Sequence, residues 1–175
     1  VKNCRASGFT YRNNDRDFIA QFVEMEYLDD GAQASGFDDP ENAHYQVEDF
    51  ILSNITVEDV DMAVNVGDED DANVRGLRIS NFSVTNPSVP SGASFNDAFA
   101  IVNSYKVLFD HCQVVNIADD GIDTKSYDVA VVNCYLRGTG RNAVKFWRNG
   151  EMINTILYDV TEINDGAIIV EDGPF

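Results

Sequence analysis

From residue 47 onward the chain keeps returning to one eight-residue pattern built around a central Asn. It first reads Phe50-Ile51-Leu52-Ser53-Asn54-Ile55-Thr56-Val57, and it recurs over residues 77–84, 107–114, 129–136 and 150–157. The central residues are Asn54, Asn81, His111, Asn133 and Asn154. Counted from them, apolar side chains fall mainly at −4, −2, +1 and +3. Each half alternates with period two, as a half-buried strand does. The phase slips by one residue at the centre, which in a straight strand would turn the second half outward. A bend at the Asn restores it, and Asn tolerates the left-handed backbone that such a bend needs. The last three centres are 22 and 21 residues apart. The earlier intervals, 27 and 30, need longer loops, and Asn86-Pro87-Ser88-Val89-Pro90-Ser91-Gly92 supplies one. Short strands at a near-constant spacing are the mark of a solenoid. The stacked Asn side chains are expected to form an internal hydrogen-bonded ladder.

A third strand follows in each repeat: Asp61-Met62-Ala63-Val64, Asp97-Ala98-Phe99-Ala100-Ile101, Asp120-Gly121-Ile122-Asp123-Thr124, Asn142-Ala143-Val144-Lys145-Phe146 and Asp165-Gly166-Ala167-Ile168-Ile169. Long amphipathic helices are not visible, which argues against a βαβ sheet. The expectation is an all-β chain, a right-handed parallel β-helix of about 22 residues per coil, forming one domain over 1–175. Residues 5–46 lack the pattern and read as an excursion from the solenoid, with acidic, Gly- and Pro-containing loops between Asp29 and Pro40. Val1-Lys2-Asn3-Cys4 reads as the end of a strand, and there is no initiator Met, so a fragment or trimmed product is expected. Cys112 and Cys134 share one repeat position and are expected to stack as core thiols. His111 stands in for a ladder Asn, a structural role; His44 has no visible partner.

The net charge is −18, from 30 acidic against 12 basic residues. Nucleic acid is excluded as a partner by charge repulsion. No apolar run approaches the roughly 18 residues of a membrane span. The acidity reads either as a solvated surface or as carboxylates that hold a cation.

The chemistry-bearing residues gather on the third strand. By alternation Phe99, Ile122, Val144 and Ala167 face inward, and Ala100, Asp123, Lys145 and Ile168 form one outward column. Asp97, Asp119 and Asp120 lie at the preceding bend on adjacent rungs. Four carboxylates in one patch are costly unless a cation or a proton relieves them. Ca²⁺, which prefers oxygen ligands, suits Asp97, Asp119, Asp120 and Asp123. Lys145 stands one rung away. The bland alternative is an Asp123–Lys145 salt bridge across rungs, with Asp-Asp-Gly as turn chemistry and Trp147 packed under a turn.

Asp-Asp-Gly-Ile-Asp at 119–123, an Asp one coil earlier, and Asn-Ala-Val-Lys-Phe at 142–146 resemble the calcium-dependent pectate lyases of polysaccharide lyase family 9. The resemblance covers roughly residues 95–150. It implies Asp97, Asp119, Asp120 and Asp123 as calcium ligands and Lys145 as the base of a β-elimination on a uronic-acid polysaccharide. Arg141, Arg148 and Lys125 would then meet substrate carboxylates, and Trp147 and Tyr127 would stack on sugar rings. It also implies an extracellular or cell-surface protein, with self-association or a longer parent chain in view. Asn96-Asp97, Asp119-Asp120 and Lys125-Ser126 are similar to the polygalacturonase-type hydrolases of family 28. That similarity implies inverting hydrolysis by Asp97, Asp119 and Asp120. Its Gly-His-Gly is replaced here by Arg141-Asn142-Ala143. A non-catalytic glycan-binding, adhesin or structural β-helix is the third reading.

Overall fold

In the computed structural model the described residues are 5–12, 21–25, 40–41, 45, 47–60, 62–66, 74–86, 97–161 and 167–170. The loops expected at 29–39 and 87–92, together with Cys4 and His44, lie outside them. Among the described residues every regular element is a strand: β1 (Arg5–Arg12), β2 (Gln21–Met25), β3 (Val47–Glu48), β4 (Ile51–Glu58), β5 (Met62–Val66), β6 (Val74–Thr85), β7 (Phe99–Asp110), β8 (Gln113–Ile117), β9 (Ile122–Val132), β10 (Tyr135–Thr139), β11 (Val144–Phe146), β12 (Gly150–Ile153), β13 (Ile156–Tyr158) and β14 (Ile168–Val170). All pairings are parallel, and the fold is a β-solenoid of about 4 turns with roughly 24 residues between turns.

Three parallel ladders run along the solenoid. One stacks the second halves of β1, β4 and β6 with β8, β10 and β13. The second stacks the first half of β1, the first half of β4 with β3, the first half of β6, the second half of β7, the second half of β9, and β12. The third stacks β2, β5, the first half of β7, the first half of β9, β11 and β14. Long strands such as β6 serve two ladders because they turn a corner without losing their hydrogen bonds.

The corners are left-handed residues. Asn54, Asn81, His111, Asn133 and Asn154 all have positive φ, between 48° and 55°. The core positions around them are as expected: Leu77, Ile79, Phe82 and Val84, then Val107, Phe109, Cys112 and Val114, then Val129, Val131, Cys134 and Leu136, are all buried. Phe82, Phe99 and Phe109 meet edge to face, with ring centroids 5.4 Å apart in both pairs. Cys112 and Cys134 are free and buried, and the Cys112 amide donates to Cys134 Sγ at 3.3 Å.

Three expectations need correction. The Asn ladder is on the surface, not inside: Asn54, Asn81, His111 and Asn154 are exposed. It bonds along the outside of the last rungs, where Asn154 Nδ2 donates to Asn133 Oδ1 at 2.7 Å. Second, residues 5–12 and 21–25 are not part of an excursion. They are β1 and β2, in register with β4 and β5. Gly8, with φ 76°, occupies the Asn54 corner, so a Gly had replaced the Asn that marks the repeat elsewhere. Third, the last rung is shifted by one: Ile168 pairs with Val144 and Ile169 with Lys145.

Candidate functional site

The site forms where the third ladder begins. Asp97, Asp120 and Asn142 follow one another on adjacent rungs. Each carboxylate accepts an amide from the next rung: Asp120 N–H donates to Asp97 Oδ1 at 3.0 Å, and Asn142 N–H donates to Asp120 Oδ1 at 2.7 Å. Gly121 is required beside them, because a Cβ there would lie 2.6 Å from the Ala143 carbonyl oxygen. The Gly of Asp-Asp-Gly thus serves close rung stacking rather than a turn alone. Asp119 leans the other way and pairs with Arg141 at 3.3 Å.

Asp97, Asp119 and Asp120 each bring a carboxylate oxygen within 4.8 Å of the others. Asp119 and Asp120 are only 4% and 2% exposed. Burial, then the charges of Asp123, Asp120 and Asp119, pushes the Asp97 carboxyl up to about 8. Asp119 and Asp120 are also raised, chiefly by burial, with Arg141 and Lys145 opposing. Such a cluster holds a proton or a cation at neutral pH. Among the described residues, these hydrogen bonds engage one oxygen each of Asp97 and Asp120. The donor set is hard oxygen, and it fits Ca²⁺.

Asp123 is brought near but is not part of the trio. The Trp147 indole donates to Asp123 Oδ1 at 2.7 Å. Burial and the Asp120 charge raise Asp123 to about 6, against Lys145, Trp147 and Lys125, which lower it. Lys145 pairs with Asp123 in the ladder register. The alternative Asp123–Lys145 salt bridge does not form. The Lys145 ammonium sits 4.1 Å from the centre of the Trp147 ring, and no described carboxylate is within ion-pair distance of it. Trp147 draws both groups to itself, Asp123 to its N–H edge and Lys145 to its face. Lys145 faces the outer column as expected, yet it is only 9% exposed.

The remaining expected residues line the same outer face. Lys125 lies 5.3 Å from the Trp147 ring, and Arg148 lies 5.3 Å from that of Tyr127. Tyr127 pairs with Tyr105, which stacks on Tyr45 at 6.4 Å. Tyr45 and Tyr105 were missed by sequence reading, since Tyr45 falls in the pattern-free segment. An irregularity in the pairing between Val102 and Tyr105, with Asn103 at φ 44°, sits between the acidic end and the tyrosines. Bulges commonly re-aim side chains beside functional sites. Its outward signal was only a shift in spacing from 23 residues (Phe99 to Ile122) to 22 (Tyr105 to Tyr127).

Comparison with protein-family models, with curated proteins and with solved structures returns no match. The fold and the site geometry define a parallel β-solenoid with a carboxylate trio, two of its members buried, beside a lysine held on an indole.

Proposed function

We propose that this chain is a calcium-dependent lyase of uronic-acid polysaccharides, acting outside the cell or at its surface. The observation that carries the reading is the trio of carboxylates from adjacent rungs with a nearly buried lysine beside it that, among the described residues, has no carboxylate within ion-pair distance. Asp97, Asp119 and Asp120 would hold Ca²⁺, with Asp123 at its margin. The ion would neutralise the substrate carboxylate and acidify the proton on the adjacent carbon. Lys145, as the neutral amine, would take that proton, the C–H electron pair would become the double bond as the glycosidic C–O bond breaks, and the leaving oxygen would take a proton from water. The indole face positions the Lys145 side chain, 4.1 Å from the ring centre. Lys125, Arg141 and Arg148 would meet further uronate carboxylates, and Tyr127 and Trp147 would border the sugar rings.

One observation favours a second reading. A carboxyl raised to about 8, as Asp97 is, carries a proton at neutral pH and so suits a general acid. Hydrolysis by Asp97, Asp119 and Asp120 would use it. The deciding assay follows absorbance of unsaturated product from pectate and other uronans, with Ca²⁺ and with chelator. Wild type is expected to give a calcium-dependent signal. Lys145→Ala is expected to lose a factor of roughly 10² to 10⁴, the usual contribution of a positioned base. Reducing ends without absorbance would transfer the function to the aspartates. No cleavage of any glycan would leave a binding or structural solenoid.

A further inference from the structure

Cys112, Cys134 and Thr155 stack one residue beyond the corners at His111, Asn133 and Asn154. They form a hydrogen-bonded ladder. Cys112 N–H donates to Cys134 Sγ at 3.3 Å, and Cys134 N–H donates to Thr155 Oγ1 at 3.2 Å. Each side chain in turn donates to a carbonyl of the rung before it: Cys112 to Ile79 at 3.4 Å, Cys134 to Phe109 at 3.7 Å and Thr155 to Val131 at 3.3 Å. The Thr155 hydroxyl fills the same place, so the ladder itself does not require sulfur. The two cysteines are 22 residues apart on adjacent rungs. Asp110 with Val132 and Gln113 with Tyr135 flank them in register. That register sets their Cα atoms about 4.8 Å apart, inside the roughly 4.4–6.8 Å that a disulfide spans. A hydrogen bond already joins the two thiols. That bond, then burial, raises the Cys112 thiol well above its ordinary value, and the same bond lowers Cys134 against its burial. The Cys112 amide aimed at the Cys134 sulfur also favours a thiolate there.

We propose that Cys112 and Cys134 are an oxidation site for hydrogen peroxide, which joins them into a reversible disulfide between rungs. Cys134 is the attacking sulfur and Cys112 the resolving one. The Cys134 thiolate attacks one peroxide oxygen and the O–O bond breaks. The departing hydroxide takes up the proton that Cys134 released, leaving water and a sulfenic acid. The Cys112 sulfur then attacks the sulfenic sulfur, the S–O bond breaks, and the oxygen leaves as water with the Cys112 proton. Two thiols lose two electrons, and one peroxide is reduced to two waters. A peroxide molecule is little larger than water, which suits thiols that are only 2% and 3% exposed. The corners beside them reach solvent, with His111 exposed and Asn133 half-buried, so local opening of a corner admits it. The bridge encloses residues 112–134, and that loop carries Asp119, Asp120, Asp123, Lys125 and Tyr127. Oxidation therefore closes into a ring the coil that bears most of the candidate site. The proposal does not rest on the lyase reading.

Treatment of the reduced chain with excess hydrogen peroxide, followed by intact mass and peptide mapping, tests it. The expected result is a mass lower by two hydrogen atoms, a peptide cross-linked between Cys112 and Cys134, and full reversal by dithiothreitol. The oxidised chain is expected to melt roughly 5–10 °C higher, as closure of a loop of this length in a chain of this size implies. In Cys112→Ser the reaction should stop at a sulfenic acid on Cys134, which dimedone traps. Cys134→Ser should remove that label, and Cys4→Ser should leave the cross-link intact. Serine keeps a hydroxyl in the ladder, as Thr155 does, and the mapping of the unsubstituted chain decides the matter if a variant does not fold. Thiols that stay unoxidised in the folded chain overturn the proposal, as does a bridge that recruits Cys4. Dimedone label on Cys112 of Cys134→Ser but not on Cys134 of Cys112→Ser overturns the assigned roles. An unchanged melting temperature overturns the closure of the coil.

Discussion

Trp147 decides the arrangement of the candidate catalytic lysine. Its N–H occupies Asp123 and its ring supports Lys145, so two groups that would otherwise neutralise each other are held apart. Trp147→Phe keeps a ring and removes the N–H. The lost hydrogen bond frees Asp123 to capture Lys145, and lyase activity is expected to drop by roughly 10-fold or more, the cost of a base in the wrong state. A matching rate in the variant would show that the indole is only packing. Asp97 gives a pH prediction with a definite sign. Its folded pKa, about 8, lies above the ordinary value of 3.8. Between those two values the folded chain holds a proton that the unfolded chain releases, so stability falls as pH rises through that window. Asp123, raised to about 6, adds to the fall over the lower part of it. In chelator, melting temperature should therefore decline from about pH 4 to about pH 8, and Asp97→Asn should flatten the decline. An unchanged slope in the variant would remove Asp97 as its source.

At the scale of the strand, the corners carry the architecture. Asn81, exposed and at φ 49°, contributes backbone conformation rather than packing. Asn81→Gly should be nearly neutral. Asn81→Val should cost about 1–2 kcal/mol, the penalty for a left-handed backbone with a bulky Cβ. Urea titration of the two variants distinguishes this from a side-chain ladder role, in which Gly would be as harmful as Val. Two further corner columns lie five residues before and five residues after the central Asn. The first contains Asp49, Gly76, Lys106 and Asp128, and the second Asp59, Asn116, Gly138 and Asp159, all at positive φ. At Gly138, φ is 67° and a Cβ would stand 2.7 Å from Asn116 Oδ1, which explains why glycine takes that corner.

The whole molecule is a stack in which each coil is covered by its neighbours, and the candidate site spans three of them. A cation bridging Asp97, Asp119 and Asp120 would therefore tie rungs together as well as serve chemistry. Added Ca²⁺ is expected to raise the melting temperature at pH 8. At a hundredfold excess over its dissociation constant the stabilisation is about 2.7 kcal/mol, and chelator should reverse it. Asp119→Asn with Asp120→Asn should abolish the calcium response. A calcium response that survives in that variant would place the ion elsewhere.

Much of this was legible along the chain. Alternation with a slip at Asn, repeated near 22 residues, specified parallel coils, the inward side chains and the corner at each centre, because each rests on local backbone and on burial period. Asp97, Asp119 and Asp120 were placed together for the same reason, since a coil brings residues one period apart into adjacency. The first coil was hidden because Gly8 performs the corner without the Asn that marks it, and because the intervening segment breaks the period. The remaining corners had a sequence trace, Asp, Asn or Gly five residues from each central Asn, but Lys106 interrupts it. Tertiary structure alone decided the rest. The period places Asp123 and Lys145 side by side, yet cannot say that an indole two residues on from Lys145 reaches both of them. It names Asp97 and Asp120 as neighbours, yet not that each accepts the next rung's amide. Spacing determines which residues share a column; only packing determines which way each charged group turns.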